Sequence, residues 1–423
     1  MKFTNAHEVI SYLYTLPHLH AKSDLSYIKR ILAVLDNPQD KVKTLHATGT
    51  NGKGSTSYYL SNLLQKAGQK TGLFVSPFVR EFNERIQLNG QDIPDQDLVK
   101  TANIVEEALT KIRQQDEEFS LVTFEYEVAL AFEYFALNHC DYAVIEVGIG
   151  GEHDKTNVIM PAVSIITTVG LDHEQIIGPT LADIAVEKSG IIKYKRPVVL
   201  GSVPELVLPV LTEKAEKEKA PVYLLNRDYH LQAKERFEYR FADRQLHFKL
   251  RPEVEGYDIA IAVTAFLLLK LPLNDEQIMQ AIDQTVIPGR YQLLSNKPTI
   301  ILDGAHNIQA MKNLLKFVRK SHQEPGKIKV LMTMMKDKDL AQVFSLFKDE
   351  EVTLTTIPYP RAAKLADFPA AVRARYRYEA DYQVAYRKLR ENLQTGDTLL
   401  ITGSFYLVSA ILKLEEDRCE FKE

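Results

Sequence analysis

The segment at 48–55 has the residue types and order of a phosphate-binding loop. It reads Thr-Gly-Thr-Asn-Gly-Lys-Gly-Ser and lies between a short apolar run and a helical pattern. Glycines let backbone N–H groups turn toward phosphate oxygens, and a helix N-terminus adds partial positive charge. Lys53 can reach the β and γ oxygens of a nucleotide, and the Ser55 hydroxyl can ligate Mg²⁺. In a general P-loop the hydroxyl directly follows the lysine, whereas here Gly54 intervenes. The alternative is a glycine-rich turn with a solvated lysine.

Two further polar residues follow predicted strands in the first half of the chain. Glu146 ends an apolar run directly before a glycine-rich segment, and His173 follows another such run. Ligands of open α/β sheets bind beyond the carboxyl ends of the strands, so a carboxylate there is well placed to hold Mg²⁺ beside phosphates. Imidazole suits softer metals, so the residues alone favour a structural or capping role for His173.

The second half offers a similar arrangement. The segment Asp303-Gly304-Ala305-His306-Asn307 follows a predicted strand and opens a helical pattern. Arg290 lies in a Pro-Gly break at 286–290, where domain closure would bring its guanidinium onto developing phosphoryl charge. The alternatives are a helix cap for Asp303 and a surface salt bridge for Arg290.

The apolar pattern of the sequence predicts the elements that position these residues. Short strand-like runs alternate along the chain with longer helical patterns. This alternation is typical of a parallel α/β sheet. Strands are predicted at 44–48, 73–75, 142–147, 163–167, 198–200, 299–302, 327–332, 352–356 and 398–402, and helices notably at 95–112, 123–137 and 180–191. Residues 236–250 alternate around a turn and predict a peripheral antiparallel hairpin. The Pro-Gly break predicts a boundary between domains 1–288 and 289–423, with a cleft between the two lobes.

Composition excludes several classes of protein. The 423 residues include 52 Lys and Arg against 56 Asp and Glu, a formal net charge of -4. This balance argues against nucleic acid as a partner, because general nucleic-acid binding usually shows as a basic excess. The two cysteines, Cys140 and Cys419, indicate a reducing compartment. No apolar signal core follows Met1, and the longest apolar run, 259–269, is too short to span a bilayer. We therefore expect a cytoplasmic protein with no membrane partner.

The loop at 48–55 and many other short segments resemble one protein family. These segments occur in order along most of the chain. They are Ser76-Pro77-Phe78, Phe82-Asn83-Glu84-Arg85-Ile86, Phe124-Glu125, Glu146–Gly151, Asp154, Thr156-Asn157, Asp172-His173, Glu187–Ile191, Asp303–Asn307, Asp337-Lys338-Asp339 and Gly403-Ser404. Together they resemble the folylpolyglutamate synthase and dihydrofolate synthase family, a branch of the Mur ligase superfamily. The resemblance implies an N-terminal P-loop ATPase domain of Mur ligase type, built on a parallel sheet, and a smaller Rossmann-like α/β domain.

The resemblance also implies the roles of individual residues. Those expected to bind the nucleotide are Gly49, Thr50, Asn51, Gly52, Lys53, Gly54, Ser55, Arg290 and Asp303. Those expected to ligate magnesium are Ser76, Glu146 and His173, and those expected to act in catalysis are Lys53, Lys188, Arg290 and His306. In this family the lysine matching Lys188 reacts with CO₂ to form a carbamate. The change turns a cation into an anion near the metal, and it requires the neutral amine, which burial or a nearby cation favours.

The implied activity is the ATP-dependent addition of L-glutamate to the γ-carboxylate of a reduced folate through an acyl phosphate. ATP and Mg²⁺ are the expected cofactors, with K⁺ as a further candidate, and the chain is expected to act as a monomer. Three alternatives stay open. They are a dihydrofolate synthase that joins glutamate to dihydropteroate, alone or as a second activity, a muramyl-peptide ligase, and a folate- or nucleotide-binding homologue that has lost catalysis.

Several positions depart from the family pattern. Glu152 and Lys155 replace residues that are often Arg and Ala, and Ser189 replaces the commoner Ala. The family's Gly-x-x-Gln-x-x-Asn-Ala segment becomes Gly256-Tyr257-Asp258-Ile259-Ala260. The contact that the family's asparagine makes with adenine is therefore assigned to no residue here.

Overall fold

The computed structural model describes residues 2–17, 24–322 and 325–420. The chain forms two compact units. The first comprises Met1–Pro77 and Phe82–Val286, and the second comprises Phe78–Glu81 and Ile287–Glu423. The sequence pattern does not anticipate that the short segment Phe78–Glu81 belongs to the second unit.

The first unit contains an eight-stranded sheet. Its strands are β1 (Lys43–Thr48), β2 (Thr71–Phe74), β3 (Ile86–Leu88), β4 (Gln91–Asp92), β5 (Tyr142–Glu146), β6 (Val163–Thr168), β7 (Val198–Ser202) and β8 (Val222–Leu224). The spatial order is β4-β3-β2-β5-β1-β6-β7-β8. The six strands from β2 to β8 pair in parallel, and only β3 and β4 at one edge are antiparallel. The sheet therefore brings the carboxyl ends of β2, β5, β1 and β6 side by side at one edge.

Helices cover this sheet. They are α1 (Ala6–Thr15), α2 (Ser26–Val34), α3 (Lys53–Lys66), α4 (Asp95–Arg113), α5 (Thr123–Leu137), α6 (Glu174–Ile177), α7 (Leu181–Ser189), α8 (Leu208–Lys217), α9 (Glu253–Leu268) and α10 (Asp275–Gln284), with 3₁₀ turns at Pro38–Lys41 and Phe82–Arg85. Helix α7 begins with a capping box in which Thr180 and Asp183 satisfy each other's backbone N–H groups. The part of α9 after Asp258 is largely apolar and buried, as the run at 259–269 predicts.

A separate three-stranded antiparallel sheet lies beside α9. It consists of β9 (Tyr229–Ala233), β10 (Phe237–Phe241) and β11 (Arg244–Phe248), in the order β11-β10-β9. The predicted hairpin at 236–250 is confirmed as β10 and β11. The third strand, β9, is missed because its alternation is short and lacks a turn of its own.

The second unit contains a six-stranded sheet. Its strands are β12 (Gln292–Asn296), β13 (Thr299–Leu302), β14 (Ile328–Met332), β15 (Glu351–Thr356), β16 (Arg377–Asp381) and β17 (Thr398–Thr402), and its helices are α11 (Ile308–Ser321), α12 (Leu340–Ser345), α13 (Ala370–Arg375), α14 (Tyr382–Glu391) and α15 (Phe405–Glu420), with a 3₁₀ turn at Leu365–Asp367. The order is β12-β13-β17-β14-β15-β16, parallel except for β12.

The predicted α/β class with parallel sheets is confirmed. All nine predicted strands are present, with ends shifted by at most two residues. The strands that the pattern misses are short or lie at sheet edges, where partly solvated side chains weaken the apolar alternation. Along the described residues, no helix is both long and apolar enough to cross a bilayer.

Candidate active site

The loop at 48–55 joins the end of β1 to the start of α3, as a phosphate-binding loop requires. Gly52 has a φ of +86°, and a Cβ atom there would lie 2.2 Å from Oδ1 of Asp258. Only glycine fits both the left-handed backbone and this close approach. Lys53 opens α3, and its Nζ donates to the carbonyl oxygen of Gly49 at 2.9 Å. The lysine therefore bends back over the loop, where phosphates would bind.

The end of β6 fixes the conformation of this loop. The N–H of Asn51 donates to Oγ1 of Thr168 at 2.9 Å, and Oγ1 of Thr167 donates to the carbonyl oxygen of Asn51 at 2.6 Å. Thr50 adds a hydroxyl bond of 2.9 Å to the carbonyl oxygen of Gly170. Because these bonds satisfy loop groups from the side of the sheet, the loop is preorganised before a ligand arrives.

Glu146 lies at the carboxyl end of β5, between β2 and β1. Its side chain is 5% exposed, and its Oε2 accepts from the backbone N–H of Ser76 at 3.0 Å. A Cβ atom on Gly54 would lie 3.4 Å from the same oxygen. The structure thus brings Glu146, Ser76 and the first turn of α3 together. Two oxygen-bearing side chains beside a phosphate loop form a donor set that suits a hard divalent cation.

Lys188, near the end of α7, is a buried amine with 3% exposure. Burial, followed by the positive charge of Lys53, lowers the pKa of Lys188 to about 7, although Asp172, Glu187 and Asp154 act in the opposite direction. Lys188 is therefore not a solvated surface lysine. The amine is neutral in part near pH 7, which is the form that reacts with CO₂.

His173 lies on a turn with a φ of +52°, directly before α6. Its Nε2 is 3.9 Å from Oδ2 of Asp172, and its side chain is 38% exposed. Among the described residues, no group of three or more His, Cys, Asp and Glu side chains is placed to hold a metal. The oxygen donors Glu146 and Ser76 fit a magnesium ion.

A buried network supports the glycine-rich loop after β5, and sequence reasoning missed part of it. Asp154 accepts from the N–H groups of Ile149 and Thr156, both at 3.0 Å. The hydroxyl of Thr156 in turn lies 2.8 Å from Nε2 of His46, which comes from β1. Burial lowers the pKa of His46 to about 3, so the ring is neutral. The sequence did not indicate a role for His46, because this residue lies within an apolar strand pattern.

Asp258 is a second residue that the sequence did not assign. It belongs to the segment that departs from the family pattern, and α9 buries it to 7% exposure against Gly52. A carboxylate beside the phosphate loop was not expected at this position. Only the fold, which packs α9 against α3, places it there.

In the second unit, Asp303 follows β13 and is buried. Its carboxylate accepts from the N–H groups of Tyr291 at 2.9 Å and Ala305 at 2.8 Å. Burial raises the pKa of Asp303, and the charge of Arg290 opposes the rise. The alternative role of Asp303 as a helix cap is wrong, because Asn307 caps α11 by accepting from the N–H of Ala310.

Phe405, the first residue of α15, organises the polar residues around it. The guanidinium carbon of Arg290 lies 4.4 Å from the centre of the Phe405 ring, and the His306 ring lies 6.2 Å from it. Nδ1 of His306 is 2.9 Å from the carbonyl oxygen of Gly304 and must donate to it, which leaves Nε2 unprotonated in the neutral ring. Arg290 and His306 thus lie against one aromatic ring in the second unit, and the charge of Arg290 acts on Asp303.

Comparison with known proteins gives two domain matches. The Mur ligase middle domain matches residues 47–264, and the glutamate ligase domain of Mur ligases matches residues 289–405. The chain is 34% identical to a folylpolyglutamate synthase of Lacticaseibacillus casei, covering 96% of this chain and 98% of that protein. It is 29% identical to a dihydrofolate synthase/folylpolyglutamate synthase of Bacillus subtilis, covering 97% of this chain and 99% of the other.

Solved structures give the same result. A complex of a folylpolyglutamate synthase with the ATP analogue AMPPCP and folate superposes with a TM-score of 0.85 at 30% identity, covering 97% of this chain and 99% of that one. A bifunctional folylpolyglutamate synthase/dihydrofolate synthase of Yersinia pestis, bound to AMPPNP and a manganese ion, gives a TM-score of 0.88 at 26% identity, covering 98% of each chain.

Proposed function

The chain belongs to the folylpolyglutamate synthase and dihydrofolate synthase family of Mur ligases, and we propose that it joins L-glutamate to the γ-carboxylate of a reduced folate. It is an ATP-dependent amide ligase, as are the members of this family. The observation that carries the proposal is the convergence of the Lys53 loop, Glu146 and the buried Lys188 in one unit.

The reaction proceeds in two substitutions. An oxygen of the folate γ-carboxylate attacks the γ-phosphorus of ATP, the bond to the β-phosphate oxygen breaks, and ADP leaves. The amine of L-glutamate then attacks the resulting acyl carbon, loses a proton and expels inorganic phosphate. The enzyme forms no covalent bond to the substrate, so its contribution is positioning and electrostatic stabilisation.

The first unit supplies the phosphate site. The loop amides and Lys53 offset the negative charge that spreads over the transferred phosphoryl group. Glu146 and Ser76 would hold Mg²⁺, with His173 as a third ligand, and the bound ion would neutralise phosphate charge. Support for the oxygen ligands is the 3.0 Å bond between Glu146 and the Ser76 backbone, which fixes the carboxylate beside α3.

Lys188 is proposed to act as a carbamate. The nitrogen lone pair of the neutral amine bonds to the carbon of CO₂, and one N–H proton leaves to water. The product is an anion where an ammonium would repel the metal. Burial of Lys188 and the nearby charge of Lys53 support this role, because both lower the pKa of the amine.

The second unit is proposed to contact the nucleotide through Arg290, Asp303 and His306. Arg290 carries a permanent charge that can meet the developing phosphoryl charge. We also propose Mg²⁺ as the divalent ion, K⁺ as an additional cation, and action as a cytoplasmic monomer.

One assay tests the activity and its acceptor. Purified protein is incubated with MgATP and labelled L-glutamate, and tetrahydrofolate and dihydropteroate are offered separately. We expect ADP and labelled product with tetrahydrofolate. Product with dihydropteroate would add dihydrofolate synthase activity, which the name of the Bacillus subtilis relative includes. The negative control is Lys53→Ala, which should abolish ADP formation without unfolding the chain. If ADP forms without an acceptor and without glutamate, the proposed ligase activity is wrong.

A further inference from the structure

Neighbouring strands at the centre of the second sheet end in loops that turn to opposite faces. Strands β13 and β14 lead into α11 and α12, whose apolar residues pack on one face of the sheet. Strand β17 lies between them and leads into α15, which packs on the other face. Loops that diverge in this way open a crevice beyond the carboxyl ends of the strands, and ligands of α/β sheets bind there.

Two tyrosines stand at this edge of the sheet. Tyr406 follows β17 and Tyr359 follows β15, and their rings stack with centres 4.1 Å apart at an angle of 24°. The hydroxyl of Tyr406 donates to that of Tyr359 at 3.1 Å, and Tyr406 is 40% exposed. The N–H of Tyr406 also donates to Oγ of Ser404 at 3.1 Å, so the pair adjoins the Gly403-Ser404 segment.

An arginine with a fixed orientation lies next to the tyrosines. Nη2 of Arg361 donates to Oδ2 of Asp337 at 2.6 Å, and the Arg361 side chain is 53% exposed. Both tyrosines act electrostatically on Arg361, whose pKa is raised mainly by the hydrogen bond to Asp337. Asp337 binds one nitrogen of the guanidinium, and the group has five N–H donors in all, so donors remain for a ligand carboxylate.

The loops that carry these groups are joined by their backbones. The N–H of Lys336 donates to the carbonyl oxygen of Arg361 at 2.9 Å, and Met335 bridges to Ala362. Backbone pairing at Arg361 and Ala362 therefore ties Arg361 to the loop after β14. The exposed side chain of Lys336 adds a second cation to this loop.

We propose that the tyrosine–arginine patch, formed by Tyr359, Arg361 and Tyr406, binds α-carboxylates of the γ-linked glutamate chain on acceptors that already carry more than one glutamate. The inference rests on the proposed function. Each added glutamate contributes one α-carboxylate on a flexible chain. An open surface with an oriented guanidinium and the hydroxyl donor of Tyr359 suits such a chain, whereas a single free amino acid requires a more enclosed site.

The test compares Arg361→Ala with Lys327→Ala. Lys327 pairs with Glu351 at 2.5 Å at the amino ends of β14 and β15. The control therefore removes an exposed ion pair from the opposite edge of the same sheet. KM is measured for mono-, di- and triglutamyl tetrahydrofolate and for L-glutamate. Titration calorimetry with free tri-γ-glutamate gives a readout that does not depend on catalysis.

We expect Arg361→Ala to raise KM for the triglutamyl acceptor about threefold relative to the monoglutamyl acceptor, as the loss of one exposed charged contact implies. Its calorimetric Kd should rise by a similar factor, and Lys327→Ala should change neither value. Tyr359→Phe should give a smaller change in the same direction.

Other results would overturn the inference. If Arg361→Ala changes KM equally for all three acceptors, or changes it for none of them, the patch does not bind the glutamate chain. A rise in the KM of L-glutamate alone would assign the patch to the incoming amino acid instead. A wild-type protein that forms no product with any acceptor would refute the proposed function itself, and with it this inference.

Discussion

The positive charge of Lys53 acts on the buried amine of Lys188, and after burial it is the largest influence that holds the pKa of Lys188 at about 7. The two lysines come from distant parts of the chain, one opening α3 and the other near the end of α7. Lys53, at the end of the loop after β1, therefore helps to keep a second lysine neutral. This relationship makes the chemistry of Lys188 depend on pH, on CO₂ and on Lys53.

Lys188→Ala should lose most of the ligase activity, because the proposed carbamate of Lys188 would supply negative charge at the metal. Acetate or formate should restore part of the activity, since alanine leaves space for a small carboxylate. The measurement is the initial rate of ADP release as a function of added acetate.

The control for this variant is Lys193→Ala. Lys193 is a partly buried lysine just beyond the same helix, and its Nζ donates to the carbonyl oxygen of Gly190 at 3.1 Å. Its loss should leave turnover close to normal. Full activity of Lys188→Ala without acetate would show that the carbamate role is wrong.

Stability should also depend on pH through Lys188. Its pKa is about 7 in the folded chain, against about 10.4 in an unfolded one. Between these values the unfolded state binds more protons, so this group makes the free energy of unfolding rise with pH, by at most about 1.4 kcal/mol per pH unit. Urea unfolding from pH 7 to 9, in buffers free of CO₂, measures this rise.

Lys188→Met provides the comparison, because it keeps the length of the side chain and removes the titrating amine. The difference in unfolding free energy between wild type and variant should shrink as the pH rises. Parallel curves over this range would mean that Lys188 keeps its ordinary pKa in the folded chain.

The sequence predicted the central strands and the strand–loop–helix arrangement around Lys53 well, because these depend on local patterns. Strand β1, the glycines and the start of α3 are all encoded within the few residues around Lys53. The same holds for Asp303, which directly follows an apolar strand. The motifs that identify the family are likewise contiguous segments.

Contacts between distant segments could not be predicted from the sequence. The burial of Lys188, the bond from His46 to Thr156 and the position of Asp258 against Gly52 each join elements about 100 residues apart or more. Periodicity reports the face of a helix or strand that is buried, but not which residue lies opposite. Edge strands such as β16 were missed for a related reason. Their own apolar alternation is weak, and they are held as strands by pairing with a neighbouring strand.

Glu146→Gln should weaken the response to magnesium. The substitution removes the negative charge but little volume, and the amide oxygen can still accept from the N–H of Ser76. We expect the Mg²⁺ concentration for half-maximal activity to rise about tenfold or more, because an anionic ligand is replaced by a neutral one. The control is Glu133→Gln on α5, another carboxylate of low exposure, which should leave the magnesium curve unchanged. An unaltered curve for Glu146→Gln would reject the metal role.

Phe405→Leu should impair catalysis more than it impairs folding. The ring faces the guanidinium of Arg290 at 4.4 Å, and a Cβ atom on Gly304 would lie only 2.4 Å from it. Leucine keeps the apolar volume in part but removes the aromatic face that orients Arg290, a contact worth about 0.5–1 kcal/mol at a partly exposed site. We therefore expect kcat/KM for ATP to fall about threefold, with a loss of stability of about 1 kcal/mol.

Two further variants separate positioning from packing. Phe405→Tyr keeps the ring and should restore kcat/KM. Phe347→Leu, a buried phenylalanine in the core of the same unit, should lose comparable stability with unchanged kinetics. Thermal unfolding and initial rates are measured for all three proteins. If Phe347→Leu reduces kcat/KM as much as Phe405→Leu does, the effect reflects general destabilisation, and Phe405 has no special role in holding Arg290.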